Sequence, residues 1–196
     1  MYEVEVWGIA VDPINQSPIV VLRNRENPRE VLPIWIGPPE ASGIMMVLND
    51  MKFERPLTYE LIKSLLSALG GEVERVEITD LKGGTFYATI YLKTPEGEVK
   101  EIDSRPSDAI NIALRTGAPI YVADHVMEQS KVVIDEKFVL PNPDGSGEGK
   151  SEPEEEEQKS TPPPKGEKRK EEQDEEFKRW LENLKPEDFQ KFGSSE

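Results

Sequence analysis

The sequence predicts an α+β fold: a single compact domain with a mostly antiparallel or mixed sheet packed with about three to four helices, followed by a disordered linker and a short C-terminal helix. Three observations predict it. Strand-like and helix-like hydrophobic patterns come in groups, not in the strict β-α-β alternation of a doubly wound parallel sheet. Gly, Pro and Asn punctuate the strand-like runs at hairpin spacing. Apolar residues almost vanish between Pro141 and Lys170, so the folded part ends near residue 140.

The elements follow in order. Tyr2, Val4 and Val6 alternate with Glu3 and Glu5, the period of a strand with one buried face, and from Trp7 both faces turn apolar. Residues 18–23 and 30–36 read as two more strands around a hairpin loop at 24–28. Pro33 inside the third implies an edge or a bulge, because proline donates no ladder hydrogen bond. Pro38-Pro39 then opens a helix over 39–51. A second helix over 57–69 carries a stripe of Leu57, Leu61, Ile62, Leu65, Leu66 and Leu69, and Gly70-Gly71 stops it. Strands return at 72–80 and 85–93 around Lys82-Gly83-Gly84, and at 98–103 after Pro95-Glu96-Gly97. A third helix spans 106–116, with Pro106 in its first turn and Gly117 at its end. A strand at 119–123 and a short helix at 124–130 complete the domain.

The remainder divides by composition. Residues 141–170 hold a run of glutamates at 154–157, Pro162-Pro163-Pro164 and Lys168-Arg169-Lys170, too little apolar surface to offset ordering entropy. Phe177, Trp180, Leu181 and Leu184 then mark one face of a helix within 171–192, ended by Pro186. So short a helix is marginal alone, so this one is expected to dock on its own domain, a sister subunit or a protein partner.

Charge and composition exclude several function classes. The 196 residues carry 24 Lys and Arg against 39 Asp and Glu, a net charge of −15. Residues 1–142 hold 14 Lys and Arg against 22 Asp and Glu, net −8, so the tail hides no basic domain. A broad basic surface for wrapping duplex DNA is excluded. With no cysteine, disulfides, zinc–thiolate sites, iron–sulfur clusters and thiol nucleophiles are excluded, and with one histidine so is a His-rich metal site. No apolar run approaches the ~18 residues of a membrane span, and the first residues lack the pattern of a secretory signal. A cytoplasmic protein is the expectation.

No Walker A loop, GxGxxG, GxSxG or HExxH is present. His125 reads as a helix-start or surface residue. Three polar clusters remain. In Asp103-Ser104-Arg105-Pro106-Ser107-Asp108, at a strand end and helix start, Asp103 and Asp108 are hard oxygen ligands suited to Mg²⁺ or Mn²⁺, and Arg105 can clamp a phosphate. The structural alternative is that Ser104 caps the helix, Asp108 favours its first turn and Arg105 pairs with a carboxylate. Gly37-Pro38-Pro39-Glu40 repeats the strand-to-helix junction. Thr79-Asp80-Leu81-Lys82-Gly83-Gly84-Thr85 reads chiefly as turn geometry.

Longer stretches carry a resemblance. They are Leu32-Pro33-Ile34-Trp35-Ile36-Gly37-Pro38-Pro39-Glu40-Ala41, Arg55-Pro56-Leu57-Thr58, Ile78-Thr79-Asp80-Leu81 with Gly84-Thr85-Phe86-Tyr87-Ala88, Ile102-Asp103-Ser104-Arg105-Pro106-Ser107-Asp108-Ala109-Ile110, and Pro119-Ile120-Tyr121-Val122. In this order they resemble the bifunctional nuclease domain family, also known as DUF151, over about residues 1–135. The resemblance implies a compact α+β fold, homodimers, and nuclease activity on both DNA and RNA. It carries no set of catalytic residues.

The leading expectation is a nuclease with a carboxylate-bound divalent ion, because such ions supply an activated water, charge stabilisation and leaving-group help. Asp103, Asp108, Asp80 and Glu40 are the candidate ligands, Asp103, Asp108 and Arg105 the candidate catalytic residues, and Arg105 the phosphate contact. Arg23, Arg25 and Arg29 are candidates for a local basic patch that offsets the acidic charge. The alternative is a non-enzymatic binding or regulatory module whose acidic helical tail recruits a protein partner. A homodimer is expected from the resemblance, and the Ile44-Met45-Met46-Val47-Leu48 run, apolar around much of a helix, agrees with it.

Overall fold

The computed structural model describes residues 1–134. The expected linker at 141–170 and helix at 171–192 lie outside the described residues. Twelve elements follow in order: β1 (Tyr2–Val11), β2 (Pro18–Asn24), β3 (Glu30–Trp35), α1 (Pro38–Leu48), α2 (Thr58–Ala68), β4 (Glu72–Lys82), β5 (Thr85–Lys93), β6 (Val99–Ser104), α3 (Pro106–Thr116), β7 (Ile120–Val122), α4 (Asp124–Ser130) and β8 (Val132–Val133). The strands form one mixed sheet in the order β6-β5-β4-β7-β1-β2-β3-β8, with β4 and β7 parallel and the other neighbours antiparallel. This is the α+β architecture the sequence predicts.

Local chemistry explains most boundaries. The register of β1 against β2 shifts between Val6 and Gly8, a bulge at the point where the sequence pattern changes. Pro33 lies opposite Val21 of β2, while β8 reaches only Glu30 and Val31, so the far side of β3 is an open edge at the proline. The helix expected over 39–51 runs over Pro38–Leu48, because Asn49 turns back to donate from Nδ2 to the Met45 carbonyl at 2.8 Å. Asp50 then takes φ +49°. Gly83 and Gly84 both have positive φ, the tight hairpin geometry expected of that pair. The two-residue β8 was not expected; it is too short to carry a periodicity.

The main core joins one face of the sheet to the helices. Val4, Leu22, Val76, Ile78, Ala88 and Ile90 meet Ile44 of α1, Ile110 and Ala113 of α3, and Val126 and Met127 of α4. Ala10, Ile19, Val21, Val31, Val132 and Ile134 form a second cluster with Trp7. Two clusters explain why β1 to β3 are apolar on both faces. Among the described residues no helix is long and apolar enough to cross a membrane.

Candidate functional site

The β6–α3 junction sets the site. Strand β6 ends at Ser104, and Arg105 is the N-cap of α3 with extended backbone (φ −70°, ψ 146°). No side chain caps this helix: Ser104 Oγ donates to the Arg105 carbonyl instead, which corrects the expected Ser104 cap. Asp108 lies three positions after Arg105, about one helical turn, so Arg105 Nε donates to Asp108 Oδ2 at 2.6 Å. Packing of α1 on α3 brings in the second carboxylate. Asn111, fully buried on α3, donates from Nδ2 to the Glu40 carbonyl at 3.0 Å and the Ser107 carbonyl at 2.9 Å. Glu40, in the first turn of α1, then accepts from Arg105 Nη2 at 2.8 Å.

Two carboxylates therefore share one guanidinium. Arg105 is 66% exposed, Glu40 14% and Asp108 27%. The hydrogen bond to Asp108, then that to Glu40, raises the proton affinity of the guanidinium, which stays charged. Tyr59 on α2 donates its hydroxyl to Asp108 Oδ1 at 2.7 Å. Burial, then this bond to a carboxylate, pushes the Tyr59 phenol up, so it acts as a donor and not as a phenolate. Gly37 gives Glu40 its room: a Cβ there would lie 2.2 Å from Glu40 Oε2.

A second set of bonds braces the first. Arg115 of α3, 5% exposed, donates from Nε to Glu60 Oε1 at 2.6 Å, from Nη1 to Asn111 Oδ1 at 2.9 Å and from Nη2 to the Gly43 carbonyl at 3.0 Å. It thus ties α3 to both α1 and α2. A Cβ on Gly43 would stand 2.6 Å from Asn111 Oδ1 and 2.9 Å from the Tyr59 ring, so glycine sets the helix spacing here.

Beside Arg105 opens a cleft of about 400 Å³, lined among others by Gly37, Thr85, Phe86, Arg105 and Ser107. A cavity of about 450 Å³ lies at the C-terminal ends of α2 and α3, but its charged groups, Lys63, Glu72, Glu74 and Lys93, are all on exposed positions with no shared cluster. The smaller cleft is the better candidate because the ion cluster adjoins it.

The four expected metal ligands do not gather. Thr89 pairs with both Glu77 and Asp103, and Asp80 pairs with Tyr87, so Asp80 and Asp103 share the sheet face opposite Ile78, Ala88 and Ile90. Those three apolar residues face the core and the helices, where Glu40 and Asp108 stand. Asp80 binds Lys82, accepts the Leu81 amide at 2.9 Å and lies 3.4 Å from Nε2 of the exposed His125. Among the described residues no three or more Asp, Glu or His are grouped closely enough to hold a metal ion. Asp103 and Asp108 are five positions apart, yet the strand-to-helix turn sends them to different sides of the sheet. In the expected basic patch Arg23 pairs with Glu5 and Arg25 with Glu3 at 3.3 Å, while Arg29 Nε donates to the Ile134 carbonyl.

Sequence reasoning missed Tyr59, Asn111, Arg115 and Glu60. One signal existed: Asn111 is polar among Ala109, Ile110, Ile112 and Ala113, all buried.

The family model "Bifunctional nuclease domain" matches residues 20–135. An uncharacterized protein of Mycobacterium tuberculosis is 35% identical over 189 residues, 96% of this chain and 98% of its own. Bifunctional nuclease 1 of Oryza sativa is 30% identical over 129 residues, 65% of this chain and 38% of its own. Bifunctional nuclease 1 of Arabidopsis thaliana is 28% identical over 134 residues, 66% of this chain and 41% of its own.

Proposed function

Because the chain belongs to the bifunctional nuclease domain family, we propose that it is a nuclease hydrolysing phosphodiester bonds of DNA and RNA at the cleft beside Arg105. One observation supports the site above others: Arg105 is an exposed cation on the cleft wall, held between two partly buried carboxylates. A guanidinium matches the geometry of phosphate oxygens and can stabilise the charge that develops on them. As Arg105 turns to a phosphate, Asp108 or Glu40 is released to accept a proton from the attacking water. Tyr59 keeps Asp108 oriented.

The Mg²⁺ or Mn²⁺ requirement belongs to this proposal in reduced form. Glu40 and Asp108 already hold a cation, the guanidinium, between them. The same carboxylates are the pair that would hold a divalent ion, which supplies Lewis acidity and a water of lowered pKa. Asp80 and Asp103 fall outside that set.

The proposal includes a homodimer acting in the cytoplasm. Leu48, Met51, Phe53, Leu57, Leu61, Leu65 and Leu69 along α1, α2 and their connection are each at least 38% exposed, a run of large apolar side chains typical of interaction surfaces.

A second reading has one observation in its favour. Both carboxylates of the cluster are engaged, as in a helix brace. On that reading the domain is a binding module, and the 171–192 segment recruits a protein partner.

The test uses the full chain with fluorescent single-stranded DNA and RNA in Mn²⁺, Mg²⁺ or EDTA. The nuclease reading expects cleavage of both polymers that co-purifies with the protein. Intact substrates under all conditions favour the binding module.

A further inference from the structure

We propose that the cleft beside Arg105 takes one unpaired nucleotide at a time, so that the substrate is single-stranded and duplexes are refused. The inference rests on the nucleic-acid ligand of the nuclease reading and adds the strand class.

Charge points to it first. Binding a duplex relies on a row of cations along the phosphates, over roughly 1,000–2,500 Å² of protein surface. Four arginines of this domain pair with its own acids: Arg23 with Glu5, Arg25 with Glu3, Arg75 with Glu77 and Arg115 with Glu60. Arg105 also pairs with acids, Glu40 and Asp108, but it stands 66% exposed and lines the cleft. Arg105 is the one Lys or Arg among the described residues that line the cleft, so the cleft itself offers one phosphate contact.

Size and lining agree. At about 400 Å³ the cleft lies near the lower end of small-ligand sites, which run from roughly 300 to 1,000 Å³. That is room for one nucleotide. Phe86, half-buried at the start of β5, supplies an apolar aromatic wall beside Arg105. Bases present such a face only when unstacked from a helix, and unpaired strands are held by aromatic side chains in this way. Gly37 and Gly84 also line the cleft, and without side chains they let the sugar approach the backbone.

The test measures binding by fluorescence anisotropy, in EDTA so that cleavage does not interfere. The probe is a 12-nucleotide single strand, compared with its duplex and with a strand carrying one abasic position in each nucleotide register. The expected result is at least about tenfold tighter binding of the single strand, and an affinity loss of several-fold on removing the base at one register. Plotting log affinity against log salt is expected to give a slope near −0.7, one phosphate contact on a single strand. Arg105→Ala flattens that slope, and Phe86→Leu weakens binding without changing it. Equal affinity for the duplex, a slope of about −2 or steeper, or indifference to every abasic register overturns the inference. The abasic strands need no variant, so a misfolded Phe86→Leu does not blunt the test. Cleavage is scored separately in Mn²⁺ and Mg²⁺. Strand-selective binding without cleavage removes the nuclease reading alone. Cleavage with equal duplex affinity removes this inference alone.

Discussion

Glu40 and Arg105 stand 65 residues apart in the chain and 2.8 Å apart in the fold. The contact exists because α1 and α3 pack side by side with Asn111 between them, its amide bonded to the backbone carbonyls of both Glu40 and Ser107. A buried asparagine left unpaired is costly, so this arrangement is specific. It places two carboxylates on the exposed cation that lines one cleft.

Gly37→Ala is expected to reduce activity more than stability. Its Cβ would occupy the place of Glu40 Oε2, and that carboxylate is the far end of a flexible side chain that can swing off Arg105. Cleavage kinetics beside a denaturation curve check this: kcat falls while the unfolding midpoint moves little.

Gly43→Ala should do the reverse of that balance. The new methyl meets Asn111 and Tyr59, both pinned by hydrogen bonds, so the helices must separate. Overpacking of this kind costs about 1–3 kcal/mol, read as a drop in the urea midpoint.

Arg115→Met is expected to destabilise the domain by about 3 kcal/mol, because it strands the Glu60 carboxylate and Asn111 Oδ1. Adding Glu60→Gln should recover part of the loss. Additive losses in the double variant would contradict the pairing.

Acid should unfold the domain through its held carboxylates. Burial pushes the Asp12 carboxyl up, but hydrogen bonds from the Trp35 indole and the Ile14 and Asn15 amides outweigh it and hold Asp12 below its ordinary value. For Glu60, burial again acts upward and the Arg115 bond leads the forces that lower it. A lowered folded pKa gives stability that is complete above the unfolded value, near 4, and is lost as pH falls through the folded one. Asp12→Asn and Glu60→Gln should each flatten the stability curve below about pH 4. Steepness equal to wild type would show that these groups do not drive it.

The leucine face predicts assembly. The wild-type chain should sediment as a dimer, and Leu61→Glu with Leu65→Glu as a folded monomer. A wild-type monomer at all concentrations would contradict the proposed interface.

Much of the fold was legible because local signals agreed with the tertiary outcome. The Glu3 and Glu5 alternation, Pro38 and Pro106 at helix starts, and Gly70 and Gly117 at left-handed stops each set one boundary. The leucine stripe of α2 was visible, but a stripe does not say what covers it. Ile62 and Leu66 reach the core while Leu61, Leu65 and Leu69 stay exposed. In the site, Arg105 and Asp108 were legible as neighbours one turn apart. Glu40 was a candidate, but its place on Arg105 depends on α1–α3 packing. The place of Asp80 and Asp103 on the other face of the sheet was not legible, because sheet pairing, not sequence proximity, decides which face an aspartate joins.

The most direct measurement is kcat/KM for single-strand cleavage by Arg105→Ala, Asp108→Asn and Asp103→Asn, each shown to be folded. A site built on Arg105 predicts losses of about a hundredfold or more for the first two, the scale of removing a transition-state contact or a proton acceptor. It predicts near wild-type activity for Asp103→Asn, whose carboxylate lies on the far face of the sheet. Loss confined to Asp103→Asn, or equal activity in all three, would contradict a site built on Arg105.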